Sequence, residues 1–226
     1  MTKHIGPSAK DFHNLHKGVA AWIVSSGPSI KPLDLSLIAN GVGLFVNGAV
    51  RLLNETNCAS QYFVTSDERF LSSPENQALT SAQLDKDIPR IVRDKCRPID
   101  VYQERLRTLY VYSLGRNGFS TDLANGYFFG CTSTMLAVQF AFWCGCDPVI
   151  MLGTDLSYIF ENKRFYDEEK PQPVDKMLNV QLWNIANAAR VFKKNSRRLL
   201  SCSEKSLIRP YVDYMPFEDA IKKYAN

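Results

Sequence analysis

The chain has 226 residues, of which 45% are hydrophobic and 22% charged. These proportions are those of ordinary soluble globular proteins and exclude a disordered or fibrous chain; the length suits one α/β domain over residues 1–226 and is too short for two large ones. Lys and Arg number 27 against 23 Asp and Glu, a net charge of +4, too small to imply a nucleic-acid partner but suited to an anionic small molecule.

Residues 1–18 hold no apolar run of the signal-peptide kind, which makes the cytoplasm the expected compartment. Residues 20–24 predict a buried strand, followed by the tight loop Ser25-Ser26-Gly27-Pro28-Ser29 and by helix-like spacing of Leu33, Leu37 and Ile38. A second strand is predicted over 42–46, ending at Asn47-Gly48, and a third over 62–64, ending at Thr65-Ser66-Asp67. The middle, 71–125, is weakly patterned; 107–114 reads as a strand and 115–126 as a polar loop. Thr132 or Ser133 caps a helix whose interior, 135–143, is apolar nearly all round and so must be buried between other elements. The apolar stretch 134–146 is shorter than the roughly 20 residues that span a bilayer. Gly145 ends this helix, and 149–152 follow as a fully buried strand of the kind a parallel sheet requires, closing at Gly153-Thr154-Asp155. Residues 157–175, rich in charge and proline, are too long for a plain connection and are expected to form a lid. A long helix with Leu178, Leu182, Ile185, Ala189 and Phe192 on one face, a strand near Leu199 and a helix from Phe217 complete the alternation. The pattern predicts a Rossmann-like, mostly parallel α/β sheet flanked by helices, with Trp183 in its core.

In such sheets ligands bind beyond the carboxyl ends of the strands. Four clusters stand there. Ser26, Gly27, Pro28 and Ser29 offer small side chains and backbone amides to a phosphate or ribose, or form an ordinary strand-to-helix turn. Asn47, Ser66 and Asp67 can hydrogen-bond a base or sugar, although Asn47-Gly48 is also a good turn dipeptide. Thr132 and Ser133 place hydroxyls at a helix N-terminus, where an anion is favoured and where a plain N-cap would look the same. Asp155 closes a buried strand beside the lid, as a base or as a brace for the loop. No metal site is expected: the six cysteines include no CxxC pair and read as free thiols, and no Asp-x-Asp pair stands in these strand-end clusters.

The runs Ile23-Val-Ser-Ser-Gly-Pro-Ser-Ile30, Leu44-Phe-Val-Asn-Gly48 and Thr132 to Tyr158 resemble the bacterial sialyltransferases of glycosyltransferase family 42. They are also similar to the broader group of motility accessory factors and archaeal 6-hydroxymethylpterin diphosphokinases, the MptE-like superfamily. The most specific piece is Gly145-Cys-Asp-Pro-Val-Ile-Met-Leu-Gly-Thr-Asp-Leu-Ser-Tyr158. The resemblance covers residues 14–67 and 126–165 and implies a GT-A-like sialyltransferase variant of the α/β fold. It also implies that Ser26, Gly27 and Ser29 border a nucleotide, that Asn47 and Ser66 line its sugar and base, and that Thr132 and Ser133 lie near the donor. Tyr158 and Tyr166 take the place of lid tyrosines that bind the leaving phosphate.

One departure matters. The sialyltransferases use a histidine beyond the lid as general base, whereas the three histidines here are His4, His13 and His16. Arg164 stays protonated, so a carboxylate, with Asp155 leading over Glu161, Asp167, Glu168 and Glu169, is expected to take the proton. The resulting expectation is a glycosyltransferase moving a sialic-acid-like or Kdo-like sugar from CMP to a glycan or lipid-linked acceptor, in surface-glycan or lipopolysaccharide assembly. No metal or cofactor is expected, the CMP-sugar being a substrate. The alternatives are a pterin-type diphosphokinase using ATP and magnesium, and a nucleotide-binding module without catalysis. The basic run Arg190, Lys193, Lys194, Arg197 and Arg198 leaves open a peripheral contact with the inner membrane face beside the plainer reading of a solvated helix end. A homo-oligomer is left open too.

Overall fold

In a computed structural model, residues 6–84, 87–101, 107–157, 164–167 and 175–225 are described. In chain order the strands are β1 (Ala21–Val24), β2 (Val42–Val46), β3 (Ser60–Thr65), β4 (Arg90–Arg93), β5 (Thr108–Val111), β6 (Ser113–Gly115), β7 (Tyr127–Phe128), β8 (Val149–Leu152), β9 (Leu199–Ser201) and β10 (Asp213–Tyr214). The α-helices are α1 (Glu68–Ser72), α2 (Pro74–Gln83), α3 (Ser133–Trp143), α4 (Leu178–Lys194) and α5 (Phe217–Tyr224). Eight strands form one sheet in the order β10-β9-β8-β1-β2-β3-β4-β5, every neighbouring pair parallel, while β6 and β7 pair separately. The expected α/β class is the observed one.

The central strands are apolar on both faces because both faces are covered. Ala21 and Ile23 of β1 join a core with Leu44, Tyr62, α3 and the buried face of α4; Trp22 and Val24 join a second with Phe45, Phe63, Ile150 and Phe217. The one polar side chain in the interior of α3, Gln139, is fully buried and fully used. Its Oε1 accepts from the amides of Ser120 (2.9 Å) and Phe128 (3.0 Å), and its Nε2 donates to the carbonyls of Phe128 and Met135, each at 2.8 Å. It thereby ties the polar loop 115–126 and β7 to the helix.

Three expectations are corrected, and the weakly patterned middle is filled in. The spacing of Leu33, Leu37 and Ile38 does not make an α-helix; 3₁₀ turns at Pro28–Ile30 and Leu35–Leu37 stand there instead, because Pro32 has no amide hydrogen and disfavours the α conformation before it. The single strand expected over 107–114 is split into β5 and β6, with Tyr112 turned out between them. The buried face of α4 is Gln181, Asn184, Ile185, Ala188 and Phe192, which leaves Trp183 on the exposed side. The weakly patterned middle contains the end of α1, then α2 and β4; Asp67 and Ser73 cap the two helices, and a buried ion pair stitches the segment in. Arg90 donates to Asp100 at 2.9 Å, both side chains 0% exposed, and Tyr110 Oη donates to the other carboxylate oxygen at 2.7 Å. Removing one partner of such a pair typically costs about 3–5 kcal/mol.

The six cysteines are free. Burial pushes the thiols of Cys96, Cys146 and Cys202 up to about 12 and that of Cys58 to about 11, so they stay protonated near neutral pH.

Candidate functional site

The strand order reverses between β1 and β8, and there a cavity of about 460 Å³ opens at the carboxyl edge of the sheet. The loops after β1, β2, β3 and β8, the end of β4 and the first turns of α3 and α4 all reach it. Its size is that of a small-molecule site.

The N-terminus of α3 sits in its wall, pinned from both sides by hydroxyls. Ser133 Oγ accepts from the Ser66 amide at 2.9 Å and lies 3.0 Å from Ser66 Oγ. Thr134 Oγ1 lies 3.5 Å from Ser25 Oγ, to which Thr154 Oγ1 donates at 3.2 Å. Thr132 is the N-cap, its Oγ1 accepting from the Thr134 amide at 3.3 Å. Ser133 therefore joins the end of β3 to the start of α3, while Ser25 and Thr154 join β1 to β8. At the other end of α3, Arg197 donates to the carbonyls of Phe142 (2.8 Å) and Cys146 and stacks 4.1 Å from the Phe142 ring. The helix C-terminus is thus closed by a cation and its N-terminus faces the cavity.

Of the three carboxylates on the wall, Asp67 and Asp175 are hydrogen-bonded and Glu68 is only loosely placed. Asp67 holds Arg69 through two bonds of 3.1 Å, Glu68 stands 3.9 Å from Arg93, and Asp175 accepts from Gln181 Nε2 at 2.5 Å and from the Met177 amide at 2.8 Å. Two buried acceptors on the wall, Asn47 Oδ1 and Gln181 Oε1, have no hydrogen-bond partner among the described residues.

Of the residues expected from sequence, Ser26, Asn47, Ser66, Asp67, Thr132 and Ser133 come together on this wall. Gly27 shapes it from behind: its amide donates to the Gly153 carbonyl at 2.8 Å, and a Cβ there would strike that carbonyl and Asp155 Oδ2. Pro28 opens the 3₁₀ turn. Ser29 and Asp155 face each other rather than the cavity. The Ser29 amide donates to Asp155 Oδ2 at 2.9 Å, and its hydroxyl donates to Oδ1 and lies 2.9 Å from Ser203 Oγ. Asp155 thus has the geometry of the brace, not that expected of a base open to substrate. Tyr166 is not on the wall either; its hydroxyl fills the space a Cβ on Gly48 would need, and the Arg51 guanidinium covers its ring at 4.4 Å. Tyr158, Glu161, Glu168 and Glu169 lie outside the described residues, as does most of the expected lid.

Sequence reasoning missed Arg93, Phe129, Lys176 and Gln181, which also line the cavity, and took Asp175 only as the end of the expected lid. Arg93 had a weak signal, an arginine closing the apolar pair Ile91-Val92 in the middle of the chain; Gln181 had none, since it interrupts the apolar face of its helix. His13 and His16 stand on the segment that packs against the carboxyl end of α3, through bonds such as His16 amide to Cys144 carbonyl at 2.8 Å, and far along the helix from the cavity. Of the basic run, Arg197 turns inward and Arg198 pairs with Asp147 at 3.1 Å. The sequence holds one Asp-x-Asp spacing, Asp85 to Asp87, of which Asp87 precedes β4 at the amino edge of the sheet, opposite the cavity, and Asp85 lies outside the described residues. Among the described residues no helix is long and apolar enough to cross a membrane.

The model of the 6-hydroxymethylpterin diphosphokinase MptE-like family matches residues 1–161. The chain belongs to this family. The matched residues include the loops after β1, β2, β3 and β8 and all of α3, but end before Asp175, Lys176 and Gln181, so the α4 wall of this MptE-like cavity lies beyond them. No curated protein matches the chain. Among solved structures, the MAf glycosyltransferase from Magnetospirillum magneticum AMB-1 is similar at 14% identity and a TM-score of 0.54, covering 96% of this chain and 40% of its own. The sialyltransferase CstII from Campylobacter jejuni, in complex with a substrate analogue, cytidine-5'-monophosphate, is similar at 12% identity and a TM-score of 0.52, covering 88% and 86%. At these identities the likeness is one of fold; the MptE-like chain spans 40% of the MAf protein's length.

The Ser29–Asp155 contact generates a direct test. Asp155→Ala removes both acceptors from the loop after β1 and is expected to cost about 2–4 kcal/mol, read as a lower urea midpoint. An unchanged midpoint would contradict the brace.

Proposed function

We propose that this MptE-like protein is a transferase that takes a CMP-linked acidic sugar into the cavity at the β1–β8 switch point and passes the sugar to a hydroxyl of a glycan or lipid-linked acceptor. The observation that carries the reading is the α3 N-terminus, set among Ser66, Ser133, Thr132 and Arg93 on a wall where Asp67 and Asp175 are already hydrogen-bonded. Such a wall favours a phosphate held by amides, hydroxyls and guanidinium over one held through a metal ion. The fold-level likeness to a sialyltransferase complexed with cytidine-5'-monophosphate supports the same ligand class. Asn47 Oδ1 and Gln181 Oε1 are the acceptors left for ligand hydroxyl or amino groups.

The reaction is displacement at the anomeric carbon. The acceptor oxygen forms the new bond, the bond to the CMP phosphate oxygen breaks, and the departing charge falls on the α3 N-terminus. The acceptor's proton goes to Asp175, the wall carboxylate held by amide donors rather than by a guanidinium, with Gln181 fixing its orientation. Family membership keeps a second reading, transfer of a diphosphoryl group from ATP, with magnesium, to the hydroxyl of a hydroxymethylpterin, AMP leaving.

Thermal melting with CMP and with ATP, each with and without magnesium, separates the two: CMP alone is expected to raise the melting temperature. A response to ATP with magnesium and none to CMP would select the diphosphokinase. In transfer from CMP-sialic acid, Asp175→Asn is expected to lower kcat by about 100-fold or more while CMP stabilisation persists. Undiminished kcat would move the proton to another group.

A further inference from the structure

Arg93 closes β4 with its side chain on the cavity wall, 13% exposed. Its surroundings do not balance its charge. Its carboxylate partner among the described residues, Glu68, stands 3.9 Å away and is 57% exposed. The guanidinium lies 4.0 Å over the Phe129 ring, and Nε is buried without a hydrogen-bond partner among the described residues. Three positions earlier on the same strand, Arg90 has a fully buried carboxylate at 2.9 Å. Two arginines of one strand thus differ in kind: Arg90 is completed by the fold and Arg93 is not. A buried guanidinium with a distant, solvated counterion is costly unless another anion completes it.

The neighbours say where that anion goes. Phe129, over which Arg93 lies, stands three residues before the N-cap Thr132, and all three line the same cavity. Its charge and the positive end of the helix therefore converge on one region of the cavity. Gln181, on the same wall, marks an adjoining place for a ligand hydroxyl or amino group rather than for the anion itself. It is 3% exposed, its Nε2 is used by the Cys131 carbonyl at 2.9 Å and by Asp175, and its Oε1 on the cavity wall is left unpaired among the described residues.

We propose that Arg93 and the N-terminal turn of α3 form an oxyanion subsite that takes the phosphate of the nucleotide. The inference rests on the nucleotide reading above and assigns that phosphate its guanidinium. Stacking on Phe129 fixes the plane of the fork, which matches two phosphate oxygens in a way an ammonium cannot.

Calorimetric titration of the wild type, Arg93→Met and Arg93→Lys with CMP and with cytidine tests it. Arg93→Met keeps an apolar stem against Phe129 and is expected to weaken CMP by about 10- to 100-fold. Cytidine affinity should not change, and the melting temperature of the free protein should be unchanged or raised. Arg93→Lys, with the charge but not the fork, should fall between the two. Equal losses for CMP and cytidine, or no loss for either, would overturn the subsite while leaving the nucleotide reading standing. Failure of the wild type to bind CMP would overturn that reading and the subsite with it.

Discussion

Burial of α3 on all sides governs the site. A helix apolar nearly all round cannot lie on the surface, so it runs between the sheet and α4 with its N-terminus delivered to the middle of the carboxyl edge. The pins are short and specific: Ser133 to Ser66 on one side, and Thr134 to Ser25 and on to Thr154 on the other. Arg197 closes the opposite end through backbone carbonyls, so the unbalanced positive end of the helix is the one that faces the cavity.

Everything else at the edge adapts to that position. The loop after β1 must come close to Gly153, which Gly27 permits and Asp155 secures by gripping Ser29. The carboxylates Asp67 and Glu68 are drawn to arginines, and Asp175 is drawn to Gln181. The result is a wall rich in hydroxyls and guanidinium groups, whereas a site that grips a diphosphate through magnesium offers the ion free carboxylates. Family membership and shared fold do not choose between those chemistries, and the proposed reading takes its support from the side chains on the wall.

The strands of the sheet centre were legible because a doubly covered parallel strand is an uninterrupted apolar run, and 42–46 and 149–152 are bounded by small polar residues that also form the site. Burial of α3 was legible for the same reason. Arg90 and Arg93 hid β4, since a strand with charged ends reads as a loop until Asp100 is seen to neutralise one of them. Gln181 and Asn184 disguised the buried face of α4, because polar residues there make sense only once Cys131, Asp175 and Gly118 supply their partners. Asp155 was correctly located at a strand end. Its orientation was out of reach, because the Ser29 that engages it lies 126 positions away.

Hydrogen–deuterium exchange of the full chain, with and without saturating CMP, examines the role of the α3 N-terminus. Amides in 25–29, 65–67 and 131–136 should exchange more slowly with CMP, while those around 141–146, at the Arg197 end, stay unchanged. Slowing confined to the Arg197 end, or no slowing in the three edge segments while CMP is bound, would contradict the placement of the nucleotide at the N-terminus of α3.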